Sequence, residues 1–291
     1  MRVFVTGASG HIGSAVVPEL LSGGHEVLGL ARSDSSAAAV EALGAEARRG
    51  DLTDLDGLRA AAAEADGVVH LAFDHEAMRA GDLAGAADGD LVVVRALGEA
   101  MAGTGKPFVG IGLGADRLEA VAGHPRIAVA EALAALSESG VRSVLVGVPQ
   151  VVHSDLDRSG FVPTLVDIAR RTGVSGYVDD GANRWPAVHT LDLARLFRLA
   201  LEQAPAGSQL PAAAEDGIRI REIAEAIGRG LDLPVTGIAA AQAEEHFGPF
   251  GAFILSLDNP MSGDSTRRLL DWAPEHPGLI ADIEKGHYLA A

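Results

Sequence analysis

Along the first 150 residues, short β-branched and aliphatic runs alternate with Ala/Leu-rich stretches at helical spacing. That alternation is the pattern of a parallel sheet covered by helices on both faces. It predicts seven strands, over Val3–Thr6, Glu26–Ala31, Ala45–Arg49, Val68–Ala72, Phe108–Gly112, Ser143–Val148 and Ser208–Ala213. Several are nearly unbroken apolar runs, such as Val144-Leu145-Val146-Gly147-Val148, which suits strands buried on both faces. Helices are expected over His11–Gly23, Ser36–Leu43, Leu55–Glu64, Leu91–Met101 and Ile127–Ser139. Thr53-Asp54-Leu55-Asp56 gives the third of these a capping-box start. After Val148 the order breaks up around Pro149, Gly160, Pro163, Gly173, Gly176, Gly181 and Pro186, the punctuation of a smaller, loop-rich region. Further helices are expected at Leu191–Glu202, at Arg219–Gly230 and from near Pro277. The fold class is therefore α/β. A doubly wound parallel sheet is expected over residues 1–150 and 188–216, with a smaller C-terminal substrate lobe over 151–187 and 217–291.

Composition removes several classes of partner. The chain sets 23 Lys and Arg against 40 Asp and Glu, a net charge of −17, which repels nucleic acid and anionic lipid. Twelve aromatic residues (eight Phe, two Trp, two Tyr) are too few for base-stacking platforms. No apolar run is long enough to span a bilayer, so neither nucleic acid nor membrane is an expected partner. There is no cysteine, which excludes disulfides, thiolate metal sites and a cysteine nucleophile and fits a reducing cytoplasm. Met1 to Val5 runs straight into a glycine turn without the regions of a signal peptide, so the mature protein is expected to be the translated one. The histidines are scattered singly with no H-x-x-x-H pair, and a metal site is not expected. No serine sits in a G-x-S-x-G elbow, which argues against a serine hydrolase.

The most informative segment is Val3-Phe4-Val5-Thr6-Gly7-Ala8-Ser9-Gly10-His11-Ile12-Gly13, a strand, a glycine turn and a helix start. Glycines let the backbone approach a pyrophosphate closely, and the helix N-terminus offers free N–H donors and a favourable dipole. Gly7, Ser9, Gly10, His11, Ile12 and Gly13 are accordingly the expected phosphate cradle. Some 20 residues on, where an acid would hold a ribose 2′-hydroxyl, stands Leu30-Ala31-Arg32-Ser33. Arg32 can pair a 2′-phosphate, with Ser33 as a hydroxyl donor, so NADP is expected over NAD.

With these motifs in view, the chain resembles the extended short-chain dehydrogenase/reductase family, which includes nucleotide-sugar epimerases and dehydratases. The resemblance covers nearly the whole chain and implies a Rossmann-type fold and a nicotinamide cofactor. Asp51-Leu52 resembles the family's adenine-contacting pair, and Val69-His70-Leu71-Ala72, with Phe73 after it, resembles the motif at its fourth strand. Glu131 falls where the family has a helix acid, and Trp185 to Ala194 resembles its late V-H-x-x-D-x-A segment. His70, His189 and Asp192 lie in these motifs and are read as packing or capping residues.

The family's Tyr-x-x-x-Lys and its serine after the fifth strand have no counterpart. The two tyrosines are Tyr177 and Tyr288, and Lys106 and Lys285 stand four residues after neither. With Glu131 aligned, Ile127 takes the lysine place and Gly123 the tyrosine place, and the fifth strand ends Gly110-Ile111-Gly112-Leu113-Gly114 without a hydroxyl. The resemblance is therefore to a branch lacking the catalytic residues.

Ligands in open α/β sheets bind beyond the carboxyl ends of the strands. That rule points to His75, His124 and His153 as proton donors near neutral pH and to Asp116 and Arg126 as residues orienting substrate, with Arg126 suited to an anionic group. The catalytic candidates are His124, His153 and Asp116. Phe247 to Leu255, the one aromatic-rich stretch, is expected in the core of the smaller lobe or as a wall of the substrate site. The expected function is an NADP(H)-dependent oxidoreductase acting on a small carbonyl compound. The alternatives are a non-catalytic NADP-binding redox sensor and an epimerase or isomerase using bound cofactor. A homodimer is expected through Leu91–Met101 and Ile127–Ser139, whose small and aliphatic residues (Val92, Ala96, Ala100, Ala130, Leu133, Ala134) permit close helix packing.

Overall fold

The first strand, β1 (Arg2–Thr6), lies in the interior of a seven-stranded sheet, and its Val3, Phe4 and Val5 are apolar on both faces and fully buried. A computed structural model describes residues 1–112 and 124–290, except the Arg79 side chain. From β1 the chain winds one way through α1 (Gly13–Ser22), β2 (Glu26–Ala31), α2 (Asp34–Ala42) and β3 (Glu46–Arg49). It crosses back by α3 (Leu55–Glu64) to β4 (Gly67–His70) on the other side of β1, then continues through α4 (His75–Arg79), α5 (Leu83–Met101), β5 (Pro107–Gly112), α6 (Ile127–Ala135) and β6 (Arg142–Gly147). After β7 (Val151–His153), α7 (Phe161–Thr172), β8 (Ser175–Val178) and β9 (Arg184–His189), helix α8 (Thr190–Gln203) leads to β10 (Ser208–Pro211). The sheet order is β10-β6-β5-β4-β1-β2-β3, parallel throughout, and Val3 pairs in register with Val27 on one side and Gly67 on the other. The order reverses between β1 and β4, the switch point beyond which ligands sit in such sheets.

All seven strands expected from the apolar runs are present. β4 stops at His70 rather than Ala72: the Leu71 amide divides between the Thr6 carbonyl and the Thr6 hydroxyl, at 3.2 Å each, and the Ala72 amide turns to the hydroxyl alone. α5 starts eight residues earlier than expected, at Leu83, where Asp82 accepts from the Gly85 amide at 2.8 Å. Its opening Leu-Ala-Gly-Ala-Ala has little polar contrast, so a real N-cap rather than amphipathic period marks that end.

The chain divides into two compact units. One comprises Met1–Val148, Leu193–Pro211 and Ser265–Trp272; the other comprises Pro149–Asp192, Ala212–Asp264 and Ala273–Ala291. Each buries one tryptophan, Trp272 in the first and Trp185 in the second. The remaining elements are β11 (Glu215–Arg219), α9 (Ile220–Leu231), β12 (Val235–Ile238), α10 (Ala240–Leu255), α11 (Asp264–Leu270) and α12 (Leu279–Glu284). In the second unit β9 pairs antiparallel with β11 and parallel with β7, and β8 pairs with β12. Its core gathers Val162, Trp185, Ile223, Ile227, Leu279 and Ile283.

This unit is more regular than its Pro and Gly residues suggest. Pro163 sits in the first turn of α7, where a missing N–H costs nothing. Pro186 falls in β9 where the register with β11 shifts, so no ladder bond is lost there. In the aromatic stretch Phe247 is buried, but a non-helical Gly248 (φ 77°) and Pro249 kink α10, and Phe250 and Phe253 emerge half or more exposed.

Of the residues named for a dimer face, Ala130 and Leu133 are buried in one cluster with Phe108 and Leu145, and Ala96 is also buried, whereas Val92 is exposed and Ala100 and Ala134 are half-buried. Among the described residues no helix is long and apolar enough to cross a membrane.

Candidate functional site

At the end of β1 the chain turns through Gly7, at φ 69°, into α1. Gly10 donates to the Gly7 carbonyl at 3.0 Å and Ser14 to the Gly10 carbonyl at 2.8 Å, which folds the turn tightly. A Cβ on Gly13 would run into the Gly7 carbonyl, and one on Gly7 would lie 2.8 Å from the Ala72 nitrogen. Neither position accepts a side chain. The amides of Ser9 and Ile12 donate to no other backbone group among the described residues. No side chain caps α1, and its first turn holds no acid. The positive end of this helix is thus left for an external anion, and a dinucleotide pyrophosphate fits it.

Next to the turn, a chain of polar side chains runs through the buried first unit. Thr6 Oγ1 accepts the Leu71 and Ala72 amides at 3.2 Å each, so its proton goes to His70 Nδ1, 2.6 Å away. That assigns the His70 proton to Nε2, which donates to Asp90 Oδ1 at 2.8 Å. Asp90 Oδ2 then faces Arg126 Nη2 at 3.4 Å, and the same nitrogen lies 3.5 Å from the Ile111 carbonyl at the end of β5. The Arg126 guanidinium lies 4.6 Å from the centre of the Phe73 ring, in cation–π contact. Burial pulls the Arg126 pKa below its ordinary value, against the charge and hydrogen bond of Asp90, which raise it. Asp90 had no sequence signal of its own. It lies inside α5 and is recognisable only once His70 is seen opposite it.

The adenosine-side candidates cluster around the ends of β2 and β3. Arg32 is exposed, with Nη2 3.6 Å from Glu76 Oε1. Ser33 is the N-cap of α2, accepting the Ser36 amide at 3.1 Å, so its hydroxyl is already engaged. Arg49, which no sequence motif singled out, pairs in register with Ala31 and stands beside Arg32, with its Nη2 3.1 Å from Asp34 Oδ1. Asp51 accepts both the hydroxyl and the amide of Thr53, at 2.6 and 2.8 Å, and these bonds hold its carboxyl below the usual range. Leu52 packs on the first unit's core, and Leu71, Ala72 and Phe73 follow β4 half-buried.

The expected proton donors fare unequally. Asp116 lies outside the described residues. His75 opens α4, with its ring edge-on to Phe73. His124 is half-buried, and its Nδ1 accepts the Arg126 amide at 3.2 Å.

His153 is wholly buried in the second unit, with Nδ1 2.9 Å from Asp282 Oδ2, which removes it from contact with a solvent-borne substrate. Beside it His189 meets His153 edge-on and stacks on His276 at 4.6 Å, within 9° of parallel. His276 Nδ1 lies 2.8 Å from Asp192 Oδ1, and Asp192 also accepts the amides of Glu275 and His276. Ligand atoms of His189, Asp192 and His276 lie within 4.8 Å of one another. A metal ion lies in the plane of each imidazole that binds it, and two stacked parallel rings as arranged here do not converge on one ion. Burial, and then the neighbouring His153, push the His189 pKa down to about 4.

Residues 3–111 match the NAD dependent epimerase/dehydratase family. An uncharacterized protein of Schizosaccharomyces pombe is 41% identical over 299 residues, spanning 99% of this chain and all of that one. The chain belongs to the NAD-dependent epimerase/dehydratase family. A 4-hydroxy-2-methyl-3-oxo-4-farnesyl-3,4-dihydroquinoline-1-oxide ketoreductase of Stigmatella aurantiaca is 30% identical over 227 residues, 71% of this chain and 66% of that one. The fold is that of the UDP-glucose 4-epimerase of Thermus thermophilus, solved in complex with NAD: TM-score 0.74, 21% identity, 100% of both chains covered. Membership of this NAD(P)-binding Rossmann family accounts for the turn at Gly7 to Gly13. It does not account for α6, Ile127–Ala135, whose only ionisable residue is Glu131.

Proposed function

We propose that the protein is an NADPH-dependent oxidoreductase that reduces a small carbonyl compound. The observation that carries the reading is the uncapped positive end of α1 behind the glycine turn, with an exposed arginine at the end of β2. Gly7, Ser9, Gly10, His11, Ile12 and Gly13 would hold the pyrophosphate, and Asp51 and Leu52 the adenine. Arg32, with Arg49 beside it, would hold a 2′-phosphate; Ser33, engaged as a cap, contributes less. Leu71, Ala72 and Phe73 would border the nicotinamide half. When bound, the reduced nicotinamide supplies a hydride.

Neither tyrosine nor lysine stands on α6 to exchange a proton with the substrate oxygen, so another group must do so. Reducing a carbonyl generates an alkoxide that takes a proton readily from water or from an imidazolium. His124, adjacent to the same helix, is the candidate donor; general-acid help of this kind is typically worth about 10²- to 10⁴-fold.

The test is NADPH consumption with a panel of aldehydes, ketones and activated alkenes, together with calorimetry of NADPH and NADH. Turnover with at least one carbonyl and a clear NADPH preference are expected. Tight NADPH binding without consumption of any substrate would overturn the enzyme reading in favour of a sensor. Substrate conversion with no net change in cofactor would replace it with an isomerase.

A further inference from the structure

The Arg126 side chain is positioned more firmly than it is satisfied. Phe73 fixes the plane of the guanidinium, and Asp90, held in turn by His70, fixes its rotation within that plane. Of the five N–H donors a guanidinium carries, only those on Nη2 find acceptors among the described residues, both at the long limit of a hydrogen bond. Nε is buried with no partner among the described residues. A buried charged donor left unpaired is costly, so such a group is expected to meet an acceptor that arrives with a ligand. Its place supports this: Phe73 lies just beyond β4 and Ile111 near the end of β5, on the carboxyl side of the sheet adjoining the switch point.

We propose that Arg126 is a catalytic residue whose free N–H edge holds the oxygen of an uncharged carbonyl undergoing reduction. The proposal rests on the reductase reading above and names its substrate class and oxyanion donor. Charge decides between a carbonyl and a carboxylate. With its proton on Nε2 and Nδ1 accepting from Thr6, His70 is neutral, so Asp90 keeps its full negative charge and cancels that of Arg126. A carboxylate bound here would leave the buried group with a net negative charge. A ketone or aldehyde oxygen brings none until hydride adds to the carbonyl carbon. The C=O π pair then moves to the oxygen, the nicotinamide is oxidised, and the oxygen takes its proton from water directly or through His124. The guanidinium thus meets charge mainly in the transition state, where a preorganised donor is most effective.

The experiment uses isobutyramide, whose carbonyl is not readily reduced, and isobutyrate as probes. Binding of each to the full chain loaded with NADPH is measured by calorimetry, alongside kcat and KM for the best carbonyl substrate. Wild type is expected to bind isobutyramide at least tenfold more tightly than isobutyrate. Arg126→Met is expected to lose that binding by about tenfold or more and kcat by about 10²- to 10³-fold, with NADPH affinity unchanged. The double variant Asp90→Asn/Arg126→Met leaves no stranded carboxylate and should behave alike, which separates loss of the donor from loss of the fold. Asp90→Asn alone should shift preference toward isobutyrate. A wild type that prefers isobutyrate, or binds no amide, overturns the proposal, as does an Arg126→Met variant that keeps both amide binding and kcat. Arg126-dependent amide binding in a protein that reduces no carbonyl would leave the subsite standing and overturn the reductase reading instead.

Discussion

Each unit buries a histidine–aspartate pair, and the two pairs have opposite surroundings. His70 and Asp90 in the first lie 2.8 Å apart, His153 and Asp282 in the second 2.9 Å. In the first pair the ring is satisfied at both nitrogens, and the open valence falls on Arg126 beyond the carboxylate. In the second, Asp282 is surrounded by its own neighbours, with Lys285 Nζ at 3.2 Å and His287 Nε2 at 3.7 Å, and the buried atoms without a hydrogen-bond partner are His153 Nε2 and His287 Nε2. Burial alone would push the Asp282 carboxyl up, but the hydrogen bond and charge of His153 and the neighbouring cations hold it below the usual range. The same two residue types therefore lead to a partly exposed guanidinium in one unit and lie within a buried histidine cluster in the other. The group on the far side of the carboxylate, not the pair itself, is what differs between the two units.

The contrast between the pairs is tested most directly at Asp282. Asp282→Ala strands His153 and should cost about 4 kcal/mol in urea unfolding, with NADPH affinity unchanged. A loss below about 1 kcal/mol would show that the second pair is not structural. The next effect is one of pH. His189, surrounded by His153, Asp282, His276 and Asp192, has its folded pKa depressed to about 4 from an ordinary 6.5. The unfolded chain therefore binds the extra proton first, so stability is fully present above about pH 6.5 and falls as pH drops through the window to 4, by up to roughly 3 kcal/mol. His189→Asn, which keeps an acceptor for the Leu191 amide, should flatten the profile in that window; an unchanged slope would reject the assignment. In the first unit, Thr6→Val removes the hydroxyl that accepts two amides and orders His70. It should cost about 2 kcal/mol and weaken NADPH binding as Ala72 moves from Gly7, whereas stability loss with unchanged affinity would place the relay with the structural pair. The smallest effect is expected at the rim. Arg32→Asp should lower the NADPH to NADH affinity ratio by about tenfold, roughly 1.4 kcal/mol, read by calorimetry.

How much of this was legible depended on whether the signal was local. The inner strands were, because Val3 to Val5 or Val144 to Val146 are apolar on both faces and need no distant partner to be recognised. The glycine turn was too, since backbone crowding at Gly7 and Gly13 excludes any side chain. α7 and β9 were hidden by Pro163 and Pro186, whose cost depends on their place within an element. His153 was misjudged because its partner Asp282 lies 129 residues away. Arg126 could be singled out by position, but its chemistry depends on Asp90, 36 residues earlier on another helix.

The distribution of the two tryptophans has a practical consequence. Trp272 is enclosed in the first unit and Trp185 in the second, each 1% exposed, and the chain has no other indole. Intrinsic fluorescence is therefore already partitioned by unit. Trp185→Phe leaves an emission that follows the first unit alone, and Trp272→Phe one that follows the second. Denaturation curves of the two variants would show, without any attached label, whether the halves melt together or in turn.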